Sequence, residues 1–119
     1  MSIYARETHQ IYNLNQIDFL KKNKNYKNFN LFHPYKFLIF QGPSIVAKIY
    51  EYISDDCIEY IPETKTNIGL SMILMDLDIK NISISSSLES DLKLKILSLG
   101  EKKRVKIYFS EKFNFVSQL

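Results

Sequence analysis

Between residues 35 and 109, short apolar runs alternate with longer stretches whose apolar side chains recur every three or four positions. The first run, Tyr35-Lys36-Phe37-Leu38-Ile39-Phe40, predicts a strand of aromatic and branched residues covered on both faces. Gln41-Gly42-Pro43-Ser44 breaks it, and Ile45, Val46, Ile49 and Ile53 then share one helix face. Cys57 to Ile61 predicts a second, short strand ended by Pro62, and Thr64 to Asn67 supply turn and N-cap residues. Ile68 to Leu77 predicts a helix apolar on most sides. Asp76 and Asp78 close it, although the helix dipole disfavours carboxylates there. Asn81 to Ser85 predicts a third strand. Ser86-Ser87-Leu88-Glu89 fits a capping box, and the helix runs through Leu92, Ile96 and Leu99 to Gly100 as its expected stop. Val105 to Phe109 predicts a fourth strand with alternating faces.

Strand centres near residues 38, 59, 83 and 107, each pair separated by a helix, require parallel pairing. The expected fold is therefore α/β: a three-layer, Rossmann-like single domain. Its four-stranded, mainly parallel sheet has order 2-1-3-4, with helices on both faces. Residues 1–30 form an N-terminal extension, in which Leu14, Ile17, Phe19 and Leu20 give a short amphipathic stretch and residues 23–30 a polar linker. Residues 35–109 form the core. Residues 110–119 form a tail that adds an edge strand or packs on the core through Phe113, Phe115 and Val116.

Composition narrows the classes. One Cys among 119 residues excludes a disulfide framework, and no apolar run has the length of a membrane span. The first thirty residues lack a signal-peptide core, so a cytoplasmic protein without membrane contact is expected. The net charge of +3 says little by itself. Ile, Lys and Asn make up 39 residues (16, 14 and 9), the usage that an AT-rich genome produces. The positive excess belongs to residues 1–40, which carry six basic and two acidic side chains.

In open parallel sheets, ligands settle beyond the carboxyl ends of the strands. With the expected order, that crevice is lined by Gln41, Gly42 and Ser44 on one side and by Ser85, Ser86 and Ser87 on the other. Thr64, Lys65 and Thr66 close its flank. Gly42 would let a ligand approach the backbone, and Ser44 and the helix start would hold an anion. The alternative is structural: Gly42 and Pro43 make a tight turn, and Ser44 caps the helix. No G-x-x-x-x-G-K-[ST] or G-x-G-x-x-G is present, so no cofactor is assigned. Only Glu63 and Lys65 titrate nearby, which is poor catalytic equipment. The expected function is a non-catalytic domain that binds a small anionic ligand or regulates.

Other constellations point more weakly to chemistry. Cys57 follows Asp55 and Asp56, which suppress a thiolate. His9 lies in the N-terminal extension. His33-Pro34 precedes the first predicted strand, at the end away from the expected site. Asp76/Asp78 and Glu89/Asp91 lack a His at ligand spacing, so no metal site is predicted. A protein-interaction subunit, as a homodimer or a complex, would use Tyr50, Tyr52, Phe113 and Phe115. Nucleic-acid binding would use Lys21, Lys22, Lys24 and Lys27, interleaved with Asn23, Asn25, Tyr26, Asn28 and Phe29, with Lys102-Lys103-Arg104 as a second basic cluster.

The run Leu31-Phe32-His33-Pro34-Tyr35-Lys36, continued by Ile39-Phe40-Gln41-Gly42-Pro43-Ser44-Ile45-Val46-Ala47, resembles a small α/β protein family of alphaproteobacteria that has no assigned activity. The resemblance spans about residues 30–109. It implies a bacterial cytosolic α/β domain and transfers no catalytic residue.

Overall fold

The computed structural model describes residues 2–23, 28–53 and 58–117. Lys24, Asn25, Tyr26, Lys27, Asp55, Asp56 and Cys57 lie outside the described residues. In chain order the elements are β1 (Glu7–Gln10), α1 (Leu14–Asn23), β2 (Phe29–His33), α2 (Tyr35–Gln41), α3 (Ser44–Tyr52), β3 (Ile58–Lys65), α4 (Ile68–Met75), β4 (Asn81–Ile84), α5 (Ser90–Lys103), β5 (Lys106–Phe109) and β6 (Asn114–Ser117). The chain is α/β with a parallel sheet. That sheet has six strands, not four, in the order β5-β4-β3-β2-β1-β6 instead of 2-1-3-4.

The largest correction concerns residues 29–41. Tyr35–Gln41 is a helix, and the strand before it is Phe29–His33, part of which reads as linker in the sequence. Pro34 takes extended backbone and leaves the next N–H free, and the Glu63 carboxylate accepts from that Tyr35 N–H at 2.9 Å. The apolar run is thereby wound up, with Leu38 buried and Phe40 90% exposed. In β2, Asn30 is fully buried because its amide donates to Thr8 Oγ1 (3.0 Å) and Ile3 O (2.8 Å). Both partners lie more than twenty residues away, so no local pattern marks this strand.

Pro62 does not end β3, which continues to Lys65. Gly100 does not stop α5 either. The helix runs on to Lys103 and ends at Arg104 with φ 60°. Gly100 is needed for close packing: a Cβ there would meet Val105 O and Ile107 Cγ1 at 2.8 Å. The carboxylates after α4 also find a reason. Asp76 pairs with Lys103, and Asp78 takes the left-handed turn at φ 54°.

The helices pack on one face of the sheet, not two. Ile17, Leu38, Val46, Ile49, Leu74 and Ile96, from all five helices, share one cluster with Phe29, Leu31, Ile58, Tyr60, Ile82 and Ile84. A sequential strand order with right-handed crossovers requires this. The alternate strand positions face the other way. There Phe32, Ile61 and Phe113 form a second cluster with Ile3, Tyr4 and Tyr108 at its margin.

The sheet is rolled. Its edge strands β5 and β6 are joined by residues 110–113 alone. Six flat strands would separate those edges by roughly 24 Å, whereas five residue steps reach at most about 18 Å. Contacts across the roll agree. Phe109 N–H donates to Tyr4 Oη at 2.9 Å, and the Tyr4 and Tyr108 rings lie 5.6 Å apart. Phe113 therefore sits inside the roll, 5.6 Å from the Phe32 ring, and is not an exposed tail aromatic. Burial of such a ring stabilises by roughly 1.5–3 kcal/mol.

Candidate functional site

The two ends of the rolled sheet differ in how their polar groups are used. At the carboxyl end, several of the residues singled out in the sequence are engaged by other groups of the chain. Thr64 is fully buried, donates to Ser83 O at 3.2 Å and accepts from Ser71 Oγ at 2.7 Å. Lys65 and Thr66 are exposed, and Lys65 O accepts the Ser85 N–H at 3.1 Å. So Thr64–Thr66 and Ser85–Ser87 are neighbours. The Ser85–Ser87 turn already holds a carboxylate, that of Glu111. Its oxygens accept from Ser86 N–H at 3.0 Å and from the Ser85 hydroxyl at 2.9 Å. Burial pushes the Glu111 carboxyl up, but these hydrogen bonds outweigh it and hold the group below the ordinary carboxylate range.

Gln41 ends helix α2, Gly42 caps it and Ser44 begins α3, so this turn joins two helices and does not follow a strand. Gly42 has φ 84° and ψ 164°, a conformation confined to glycine, as the turn requires. Ser44 is the first residue of α3 but does not cap it; Pro43 holds the cap position without a side-chain bond. Gln41 binds His33, and His33 lies at the carboxyl end of β2, because the strand precedes it. That reverses the placement expected from the sequence. Gln41 Nε2 donates to Tyr12 O at 2.7 Å, so Gln41 Oε1 must accept from His33 Nε2 at 2.6 Å. His33 Nδ1 then accepts from the Tyr60 hydroxyl at 2.7 Å. Burial lowers the His33 pKa to about 4 against the opposing effect of Gln41, so the ring is neutral at neutral pH. His9 is buried in β1 beside the Phe29 ring.

The basic N-terminal cluster is partly structural. Lys21 and Lys22 end α1, where the dipole favours cations, and Lys21 lies over the Tyr52 ring. Phe29 is 1% exposed and cannot stack on a base.

The amino end is different. A concavity of about 340 Å³ opens there, lined by Ser2, Ile3, Tyr4, Arg6, Glu59, Lys106 and Tyr108. Arg6 directly precedes β1, Glu59 is the second residue of β3 and Lys106 the first of β5, so the roll brings three distant segments together. Among the described residues, the buried side-chain atoms without a hydrogen-bond partner are Arg6 Nε, Arg6 Nη1 and Asn30 Oδ1. Glu59 is oriented by Asn81, whose amide donates to Glu59 Oε2 at 2.8 Å. Burial raises the Tyr108 pKa, Glu59 and Tyr4 add to the rise, and Arg6 opposes it. Those three groups therefore act on the same hydroxyl. Tyr4 accepts from Phe109 N–H, which leaves its own O–H to donate. Two cations, Arg6 and Lys106, face one carboxylate, with two phenols beside them.

None of these lining residues stands out by local pattern. One signal is present: Arg6 is one of two arginines in a chain with fourteen lysines. Where lysine is the default cation, an arginine marks a place that uses the planar guanidinium. Comparison of the chain with protein-family models, with curated proteins and with solved structures gave no match.

Proposed function

We propose that the chain is a non-catalytic binding domain for a small ligand bearing an anionic group, held in the amino-end concavity. The observation that carries this reading is the pair of buried, unpartnered donors of Arg6, Nε and Nη1, in a cavity that also holds Lys106. A buried donor without a partner costs roughly 1–3 kcal/mol, more for a charged group. A carboxylate or phosphate would accept at one of the two forks of the guanidinium, Nε with Nη2 or Nη1 with Nη2, and so give one of these buried donors a partner. Lys106 would add charge, and the Tyr4 and Tyr108 hydroxyls would add donors. Glu59 is the single carboxylate of the lining, and Asn81 holds one of its oxygens.

The test is thermal melting with inorganic phosphate and, separately, succinate, at constant ionic strength set with chloride. Wild type should gain stability with the logarithm of ligand concentration above Kd, reaching about 2.7 kcal/mol at a hundred times Kd. Arg6→Met and Lys106→Met should lose the gain, and Gly42→Val should keep it. Equal gains in wild type and Arg6→Met overturn the proposal. A gain lost only in Gly42→Val would return the site to the carboxyl-end set of Gln41, Gly42, Ser44, Thr64–Thr66 and Ser85–Ser87.

A further inference from the structure

Helix α4, Ile-Gly-Leu-Ser-Met-Ile-Leu-Met, carries no charged residue, yet it lies on the outer face of the molecule. Met72 and Ile73 are 49% and 50% exposed, and Leu94 on the adjacent α5 is 64% exposed. A helix apolar on every side is ordinarily covered on every side. Between α4 and α5 runs a groove of about 490 Å³ with Ile68, Met72, Leu92 and Leu99 in its lining. The charged residues of that lining are Lys95 and Lys102, both on α5. They stand seven residues apart, on one side of the helix, about 10.5 Å along its axis.

We infer that this groove docks an amphipathic helix of another protein, with an apolar stripe for the groove and two acidic residues seven apart facing Lys95 and Lys102. Such helix-in-groove recognition reads anchors at helical spacing, and the lysine edge sets orientation and charge preference. A second copy of this chain does not supply the match. Among the described residues, the acidic side chains within the α-helices are Asp18, Glu51, Asp91 and Glu101, and no two are seven apart. This site is independent of the amino-end cavity.

The probe is a pair of labelled amphipathic peptides of about 18 residues, with identical leucine stripes. One carries Glu and the other Lys at the two flanking positions. Fluorescence anisotropy with the full chain should show saturable binding of the acidic peptide, roughly tenfold tighter than the basic one at low salt. The Lys95→Glu/Lys102→Glu double variant should invert that order. Leu94→Asp, at a position already open to solvent, should abolish binding of both peptides with unchanged melting. Absence of saturable binding, or equal affinity for both peptides, overturns the inference. So does sedimentation showing self-association that Leu94→Asp removes, since a second copy would then be the occupant.

Discussion

The carboxyl and amino ends of the same rolled sheet treat polar side chains in opposite ways. At the carboxyl end several polar groups have partners within the chain: Glu111 with Ser85 and Ser86, Glu63 with the Tyr35 N–H, Gln41 with His33, and Thr64 with Ser83 and Ser71. At the amino end Arg6 keeps two buried donors without one. Parallel α/β sheets usually bind at their carboxyl ends. Here that end is closed by the connection from β5 to β6, which carries Glu111 across the mouth of the roll. Satisfied polar groups stabilise the fold, and an unsatisfied one marks the place where something from outside fits.

The sharpest way to break this contrast is to titrate the carboxyl end. If His33 is structural, its protonation must cost stability. Its folded pKa is about 4 against an ordinary 6.5, so between those values the unfolded chain binds the proton first. Stability is full above pH 6.5, falls as pH drops and has lost the whole contribution at about pH 4. The difference of about 2.5 in pKa corresponds to roughly 3 kcal/mol. Urea unfolding of wild type and His33→Gln between pH 7 and 4 measures it. The variant should lack this part of the pH slope, and superimposable slopes would reject the assignment.

A smaller effect is expected at the closing carboxylate. Glu111→Ala removes the acceptor for Ser86 N–H and for the Ser85 hydroxyl. Both groups lie where water can reach them, so the loss is about 1 kcal/mol and not the full cost of a buried donor. Melting should fall by a few degrees. A response to phosphate that appears only in Glu111→Ala would show that the turn is an anion site filled by the chain's own carboxylate.

The helix and strand content from residue 44 onward is readable in the sequence, because each amphipathic period there is local: Val46 and Ile49 in α3, Leu92, Ile96 and Leu99 in α5, and the alternation in β5. The N-terminal third is not. In the sequence Asn30 reads as linker and Thr8 as part of the N-terminal extension, because their partners are each other, across 22 positions, inside the roll. The apolar run Phe37–Phe40 misleads for the converse reason. Its winding is fixed by Glu63, 28 positions from Tyr35, and it leaves Ile39 and Phe40 outside. A strand displaced by a few residues then shifts the whole wiring, and with it the end of the sheet where His33 falls. The amino-end cavity draws on residues 2–4, 6, 59, 106 and 108, so no window of sequence contains it.

The smallest expected effect is at Ser44, and it separates the two accounts of the turn after α2. As a helix cap its hydroxyl would be worth about 1 kcal/mol. In the structure Ser44 already lies inside α3 and is exposed, and the first N–H groups are met from behind by backbone. Ile45 N–H donates to Gly42 O at 3.4 Å and Val46 N–H to Pro43 O at 3.1 Å. Pro43, at φ −67° and ψ −22°, is already wound as the helix requires. Alanine is the better helix former by a few tenths of a kcal/mol, so Ser44→Ala should change stability by less than about 0.5 kcal/mol, in the stabilising direction. Chemical denaturation of Ser44→Ala beside wild type resolves a difference of that size. A loss near 1 kcal/mol would mean that the hydroxyl caps α3 after all, accepting from a backbone N–H of its first turn.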